Sequence, residues 1–165
     1  MRPTEVLTSD PQEGQSYSIA GNTYRIIVSG EQTGGSYAAI DMLVPPNGGP
    51  GPHAHKDMEE SFYVLEGEVT FRSESQLYTA RKGAYINIPK GGAVHSFKNE
   101  TGTITRLLCI VAPAGLEAFF RQVGRPVPHE TFLPPQEANP NERKQMQQLA
   151  TQYGQEFFPP DYLTP

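Results

Sequence analysis

Between Ser16 and Val111 the chain never runs far before a turn signal interrupts it, and that punctuation limits what it can fold into. Glycine and proline, 16 residues of each, break helix interiors and favour reversals. The runs between them are short and rich in Tyr, Ile, Val, Phe and Thr, at 24–28, 37–44, 61–65, 68–72, 76–80, 84–88, 94–98 and 103–111. Eight such runs predict an all-β fold, an antiparallel sandwich or jelly roll. In SFYVLEGEVTFRSESQLYTA the spacing predicts two successive hairpins, reversing at Glu66-Gly67 and at Ser73-Glu74-Ser75. Alternation in Glu68-Val69-Thr70-Phe71-Arg72 assigns Val69 and Phe71 to the buried face.

After Val111 the pattern becomes helical. Leu116, Phe119, Phe120 and Val123 fall at i, i+3, i+4 and i+7, and Gly124 with Pro126 stops the run. A proline-rich connection leads to a second helix, with Asn139 as N-cap, Pro140 at the first helical position and Glu142 closing a capping box. Its apolar stripe is Met146, Leu149, Ala150 and Tyr153, and Gly154 ends it. Each helix has one apolar stripe, so both are expected to pack on the outside of the β core. A chain of 165 residues suits one domain over 1–165, with a barrel at about 16–112 and a helical extension at about 113–165.

No apolar run approaches the ~20 residues of a membrane-spanning helix, so no membrane partner is expected. With 13 Lys plus Arg against 18 Asp plus Glu, the net charge of -5 offers no broad basic face, so no nucleic acid is expected either. The amino terminus lacks the apolar segment of a secretory signal, and the single cysteine, Cys109, cannot form an intramolecular disulfide. Both suit a reducing, cytoplasmic setting. Cys109, inside the apolar run LLCIV, is read as a small buried hydrophobe.

The residues suited to chemistry are histidines. His53 and His55 are spaced i, i+2, so on a strand both imidazoles leave one face about 7 Å apart, at ~3.3 Å per residue. Glu60 has the wrong parity to join them unless a turn intervenes, and Lys56-Asp57-Met58-Glu59 is suited to supply it. Glu60 then shares a face with Phe62 and Val64, whereas Glu59 opposes them and is the lesser candidate. His95 arrives from another strand, behind Pro89-Lys90-Gly91-Gly92, with Phe97 on its face. His129 lies in the proline-rich connection and is expected to be exposed. Tyr24, Tyr37, Met42, Phe62 and Phe97 suit either core or an apolar pocket wall.

GPHAHKDMEESFYVLEG resembles the first motif of the cupin family through His53, His55, Glu60 and Gly67. GAYINIPKGGAVHSFKN resembles the second through Gly83, Pro89, the glycine turn, His95 and Asn99. One departure stands out: three residues rather than two separate Gly91 from His95, so either the turn is longer by one or Gly92 takes the role. The resemblance implies a double-stranded β-helix, with His53, His55, Glu60 and His95 holding one divalent ion, whether Fe, Mn, Ni, Co, Cu or Zn. It is similar to small single-domain cupins of the quercetinase-like group. That implies a dioxygenase using O2 on a small enolic or phenolic substrate, with Glu60 both ligand and base, and pairing into a homodimer. A metal-dependent isomerase or lyase acting on a sugar or keto acid, and a non-catalytic small-molecule-binding module, are the alternatives; a pocket lined by Arg, Lys and Asn would favour the isomerase or lyase.

Overall fold

The computed structural model describes residue 2 and residues 4–164. Short β-prone runs between turns become twelve strands: β1 Ser16–Ile19, β2 Asn22–Val28, β3 Ala38–Val44, β4 His53–His55, β5 Glu59–Glu66, β6 Glu68–Ser73, β7 Leu77–Arg81, β8 Tyr85–Ile88, β9 His95–Lys98, β10 Thr105–Ala112, β11 Arg125–Val127 and β12 Gln155–Phe157. Two helices, α1 Leu116–Val123 and α2 Pro140–Gln152, complete the chain. The strands form a seven-stranded sheet in the order β11-β1-β2-β3-β10-β5-β8 and a five-stranded sheet in the order β12-β4-β9-β6-β7. All pairings are antiparallel, and the two sheets enclose one apolar interior.

All eight expected strands are present. The Ser73–Gln76 reversal joins a true hairpin, β6 with β7, closed by the Ser73 amide and the Gln76 carbonyl at 2.9 Å. The Glu66-Gly67 reversal does not. There the chain leaves the larger sheet and enters the smaller one, so β5 pairs with β8 and β10 while β6 pairs with β7 and β9. An abrupt reversal looks the same in sequence whether the next strand lies beside the last or across the core from it.

Gly67 makes that crossing at φ +78°, where a Cβ would stand 2.8 Å from Thr105 Oγ1 and 3.1 Å from the Ile104 carbonyl oxygen. Alternation then fills the interior: Tyr24 and Ile26 from β2, Ile40, Met42 and Val44 from β3, Phe62 and Val64 from β5, Val69 and Phe71 from β6. Phe62, Phe71 and Phe97 meet with ring centroids 5.1, 5.4 and 5.2 Å apart, tilted or edge-on, which adds about 0.5–1.5 kcal/mol per pair beyond area burial. Tyr37 is not in this core; it precedes β3 and is exposed.

On the outer face of the larger sheet, buried Asp41 accepts hydrogen bonds from Arg25 Nε at 3.3 Å and Arg106 Nε at 2.8 Å. Arg25 also donates to the Glu13 carbonyl at 2.9 Å, which ties the amino-terminal segment to the barrel wall.

The carboxy-terminal region is helical as expected but also returns strands to both sheets, β11 beside β1 and β12 beside β4. Three-residue strands of mixed polarity give no periodicity to read. Helix α1 buries Leu116, Phe119 and Phe120 against the core. The capping box of α2 forms as read, with Asn139 Oδ1 accepting from the amides of Asn141 and Glu142 and Glu142 accepting from the Asn139 amide. Only Ala150 of its stripe is fully buried, and Met146 remains 39% exposed because just the last turns of α2 reach the barrel. His129 is held rather than free: its Nδ1 lies 2.8 Å from Ser16 Oγ and its Nε2 meets the Gln12 carbonyl.

Gly67→Ala is expected to lower the unfolding free energy by about 1–2 kcal/mol, through a positive φ and the close Thr105 contact. Gly102→Ala, where a Cβ would meet nothing within 4 Å, should change it by less than ~0.5 kcal/mol. Urea denaturation of both variants checks the pair.

Candidate metal centre

The four residues singled out in the sequence converge. One donor atom each from His53, His55, Glu60 and His95 can be chosen so that all lie within 4.8 Å of one another. Strand β4 carries the first two on one face, because residues two apart on a strand project the same way. Strand β9 places His95 directly opposite His53 in the ladder, with ring centroids 4.3 Å apart. The chain then crosses between sheets at Lys56–Met58, so Glu60 enters from β5 in the facing layer. In the turn before His95, Gly91 and Gly92 both take positive φ, and the Gly91 amide donates to the Lys56 carbonyl at 2.9 Å, docking this turn on the one that follows β4.

Each imidazole is aimed by its own backbone. Nδ1 of His53 lies 2.9 Å from the Gly51 carbonyl oxygen, Nδ1 of His55 3.2 Å from that of Met58, and Nδ1 of His95 2.9 Å from that of Ala93. A carbonyl oxygen only accepts, so every Nδ1 must carry the hydrogen. Each neutral ring is thereby left with its Nε2 lone pair directed at the others.

His55 Nε2 lies 3.0 Å from Glu60 Oε2, and His95 Nε2 lies 3.4 Å from the same oxygen without a hydrogen-bond partner in the protein. His95 Nε2 is the one enclosed side-chain nitrogen or oxygen left orphaned in this way among the described residues. Glu60 Oε1 turns the other way and accepts from the Cys109 thiol at 3.3 Å.

Charge follows from this geometry. His55 faces an acceptor at both nitrogens, so the metal-free ring must carry two hydrogens. Burial opposes that charge, but the hydrogen bond to Glu60 and its negative charge outweigh burial and raise the His55 pKa. Burial alone would raise Glu60; the two imidazoles reverse it and hold the carboxyl well below the usual range. His53 is lowered to about 4 by burial and then by the neighbouring His95. Burial, then the charges of Glu60 and Cys109, push the Tyr24 hydroxyl up.

This donor set fits one divalent ion. It offers three imidazole nitrogens and one carboxylate oxygen, with an orphaned lone pair and a proton held where a cation would sit. Ligand atoms on opposite sides of a first-row ion stand about 4.2 Å apart for bonds of ~2.1 Å, so the cluster closes onto an ion with sub-ångström shifts.

Glu60, the carboxylate that parity favours, is buried in the cluster, and Glu59 is only half-buried. Sequence reading treated Cys109 as packing only. Its inward orientation follows from the parity it shares with Leu107 and Val111 on β10, but its contact with Glu60 depends on the pairing of β10 with β5. His129 lies apart from the cluster, on the outer side near Ser16. A surface cleft of about 360 Å³ lined by Thr8, Glu13, Gln15, Ile26, Gln32 and Arg121 also shares none of these residues.

Residues 40–111 match the family model described as Cupin domain. A quercetin 2,3-dioxygenase of Bacillus subtilis is 26% identical over 120 residues, which is 73% of this chain and 35% of that protein. The chain thus spans about a third of that relative's length. Among solved structures, a predicted oxalate decarboxylase from Thermotoga maritima superposes with TM-score 0.60 at 20% identity, covering 65% of this chain and 99% of the other. A sugar phosphate isomerase of the cupin superfamily from Silicibacter pomeroyi superposes with TM-score 0.51 at 18% identity, covering 58% and 61%. At these identities the two structures report a shared fold.

Metal binding is expected to displace the His55 proton, so apparent Zn²⁺ affinity should rise about tenfold per pH unit below the raised His55 pKa and level off above it. Competition against a chromophoric chelator between pH 5.5 and about 9 measures the slope. The metal-free protein should lose stability as pH falls from 6.5 to about 4, because unfolding lets His53 take a proton that its folded site resists. Glu60 adds to that loss below the ordinary carboxylate range. His55 acts in the opposite sense: its contribution is complete below 6.5 and is lost as pH rises through its raised folded value. Urea midpoints across this range should fall on acidification, and His53→Ala should flatten the fall.

Proposed function

From the premise that residues 40–111 are a cupin domain, we propose that this chain is a metal-dependent dioxygenase acting on a small enolic or phenolic compound. The observation that carries the reading is the convergence of three carbonyl-anchored imidazoles and one carboxylate in a mainly apolar interior. The 26% identity to a quercetin 2,3-dioxygenase over 73% of the chain supports it. Composition of the surroundings also supports it over a sugar or keto-acid isomerase. Tyr24, Met42, Met58, Phe62 and Cys109 are buried in the same core, and no lysine or arginine is among the buried residues described. A phosphorylated or polyhydroxylated substrate would want such cations; a planar, weakly polar one would not.

His53, His55, Glu60 and His95 would hold the ion, and the ion would supply Lewis acidity and open positions for oxygen ligands. The chain's own contribution is positioning and proton handling. Backbone carbonyls hold a hydrogen on each Nδ1, so once the His55 Nε2 proton is displaced all three imidazoles present lone pairs on the inner side. Glu60 Oε2 faces that side and is the atom placed to accept the proton of an enolic hydroxyl, while Oε1 stays on the Cys109 thiol. His55, Glu60 and His95 are almost fully buried, whereas His53 is half-buried. Substrate would therefore approach past His53, and the buried remainder would exclude water from the reacting centre.

Reconstitution with each first-row divalent ion, followed by O2-consumption assays with flavonols and enolic diketones, tests the proposal. Turnover should require a metal, vanish with chelator, and fall by about 10²–10⁴ in Glu60→Gln, the usual worth of a general base. Absence of turnover with every metal would overturn it, and tight small-molecule binding without turnover would point to a binding module.

A further inference from the structure

We infer that the carboxy-terminal strand β12 supplies a substrate-binding side chain, the Gln155 carboxamide, beside the metal ligands; this rests on the function proposed above. Gln155 is the ladder partner of His55, and Phe157 that of His53. Paired residues of an antiparallel ladder project from the same face, with Cβ atoms about 4.5–5.5 Å apart. Both side chains therefore stand on the face that carries the ligands. Gln155 lies outside the cupin match at 40–111, so the domain's motifs do not account for it.

The state of its amide points to a ligand. Gln155 is only 4% exposed, yet among the described residues its one side-chain partner is the Met58 thioether, 3.7 Å from Nε2. A thioether is a weak acceptor, and a buried amide so poorly partnered is costly. Oε1 has no partner there at all. It is not among the enclosed orphan atoms, so it borders space that solvent reaches. A group that donates through Nε2 and accepts through Oε1 matches a molecule with a hydroxyl beside a carbonyl, which offers one acceptor and one donor side by side. Phe157, 37% exposed and set against Phe119 of α1 at 6.4 Å, gives that molecule an aromatic edge next to half-buried His53.

Full-length protein loaded with Co²⁺ provides the test, with maltol, a ring in which an enolic hydroxyl neighbours a carbonyl, as the probe. Visible absorption of the cobalt reads both metal and maltol binding. Gln155→Leu should leave Co²⁺ affinity within about twofold and weaken maltol about tenfold, the worth of one well-made hydrogen bond. Azide, which has no hydroxyl–carbonyl pair to recognise, should bind both proteins alike. Phe157→Ala, at a more exposed position, should weaken maltol without moving Co²⁺ affinity, and so covers the case in which Gln155→Leu fails to fold. Equal maltol affinity in wild type and variants overturns the role of β12, as does a matching loss of Co²⁺ affinity, which would make Gln155 purely structural. Failure of the wild type itself to bind Co²⁺ sinks the metal-dependent function instead, and binding of Co²⁺ but not maltol sinks the substrate class.

Discussion

Three backbone carbonyls govern this molecule's chemistry. Those of Gly51, Met58 and Ala93 each take the Nδ1 hydrogen of one histidine, and in doing so they decide where every Nε2 lone pair points. None of these carbonyls belongs to a strand. Each sits in a turn or connection, that of Ala93 following the positive-φ glycines at 91 and 92. The barrel supplies a rigid frame, but the irregular backbone between its strands orients the ligands.

Much of the frame was legible because burial and polarity alternate along its strands. β10 reads buried, half-buried over its full length, and the inward residues of β5 are those whose parity agrees with Phe62 and Val64. The clustering of Glu60 with His53 and His55 was also visible, since parity required a turn between His55 and Glu60 for them to meet and the crossing at Lys56–Met58 provides it. A family pattern located His95, which parity could not have tied to His53 across so long a separation.

What stayed hidden was long-range. Nothing in Glu66-Gly67 says that the next strand pairs across the core, because that choice depends on which edge is already taken by β8 and β10. Nothing in Gln155-Glu156-Phe157 announces a strand, because three residues give no period and the partner lies a hundred positions away. Cys109 was read correctly as buried, yet its partner, Glu60, could be named only once β5 and β10 were seen side by side.

The four donors are unevenly divided: three imidazoles from the smaller sheet, one carboxylate from the larger. Whatever cation settles between them is a rivet through both layers, fastening walls that otherwise meet mainly through greasy side chains and the Thr105–Glu68 hydrogen bonds. Occupancy would then be a mechanical property as much as a chemical one, governing how freely the two halves of the barrel slide and breathe.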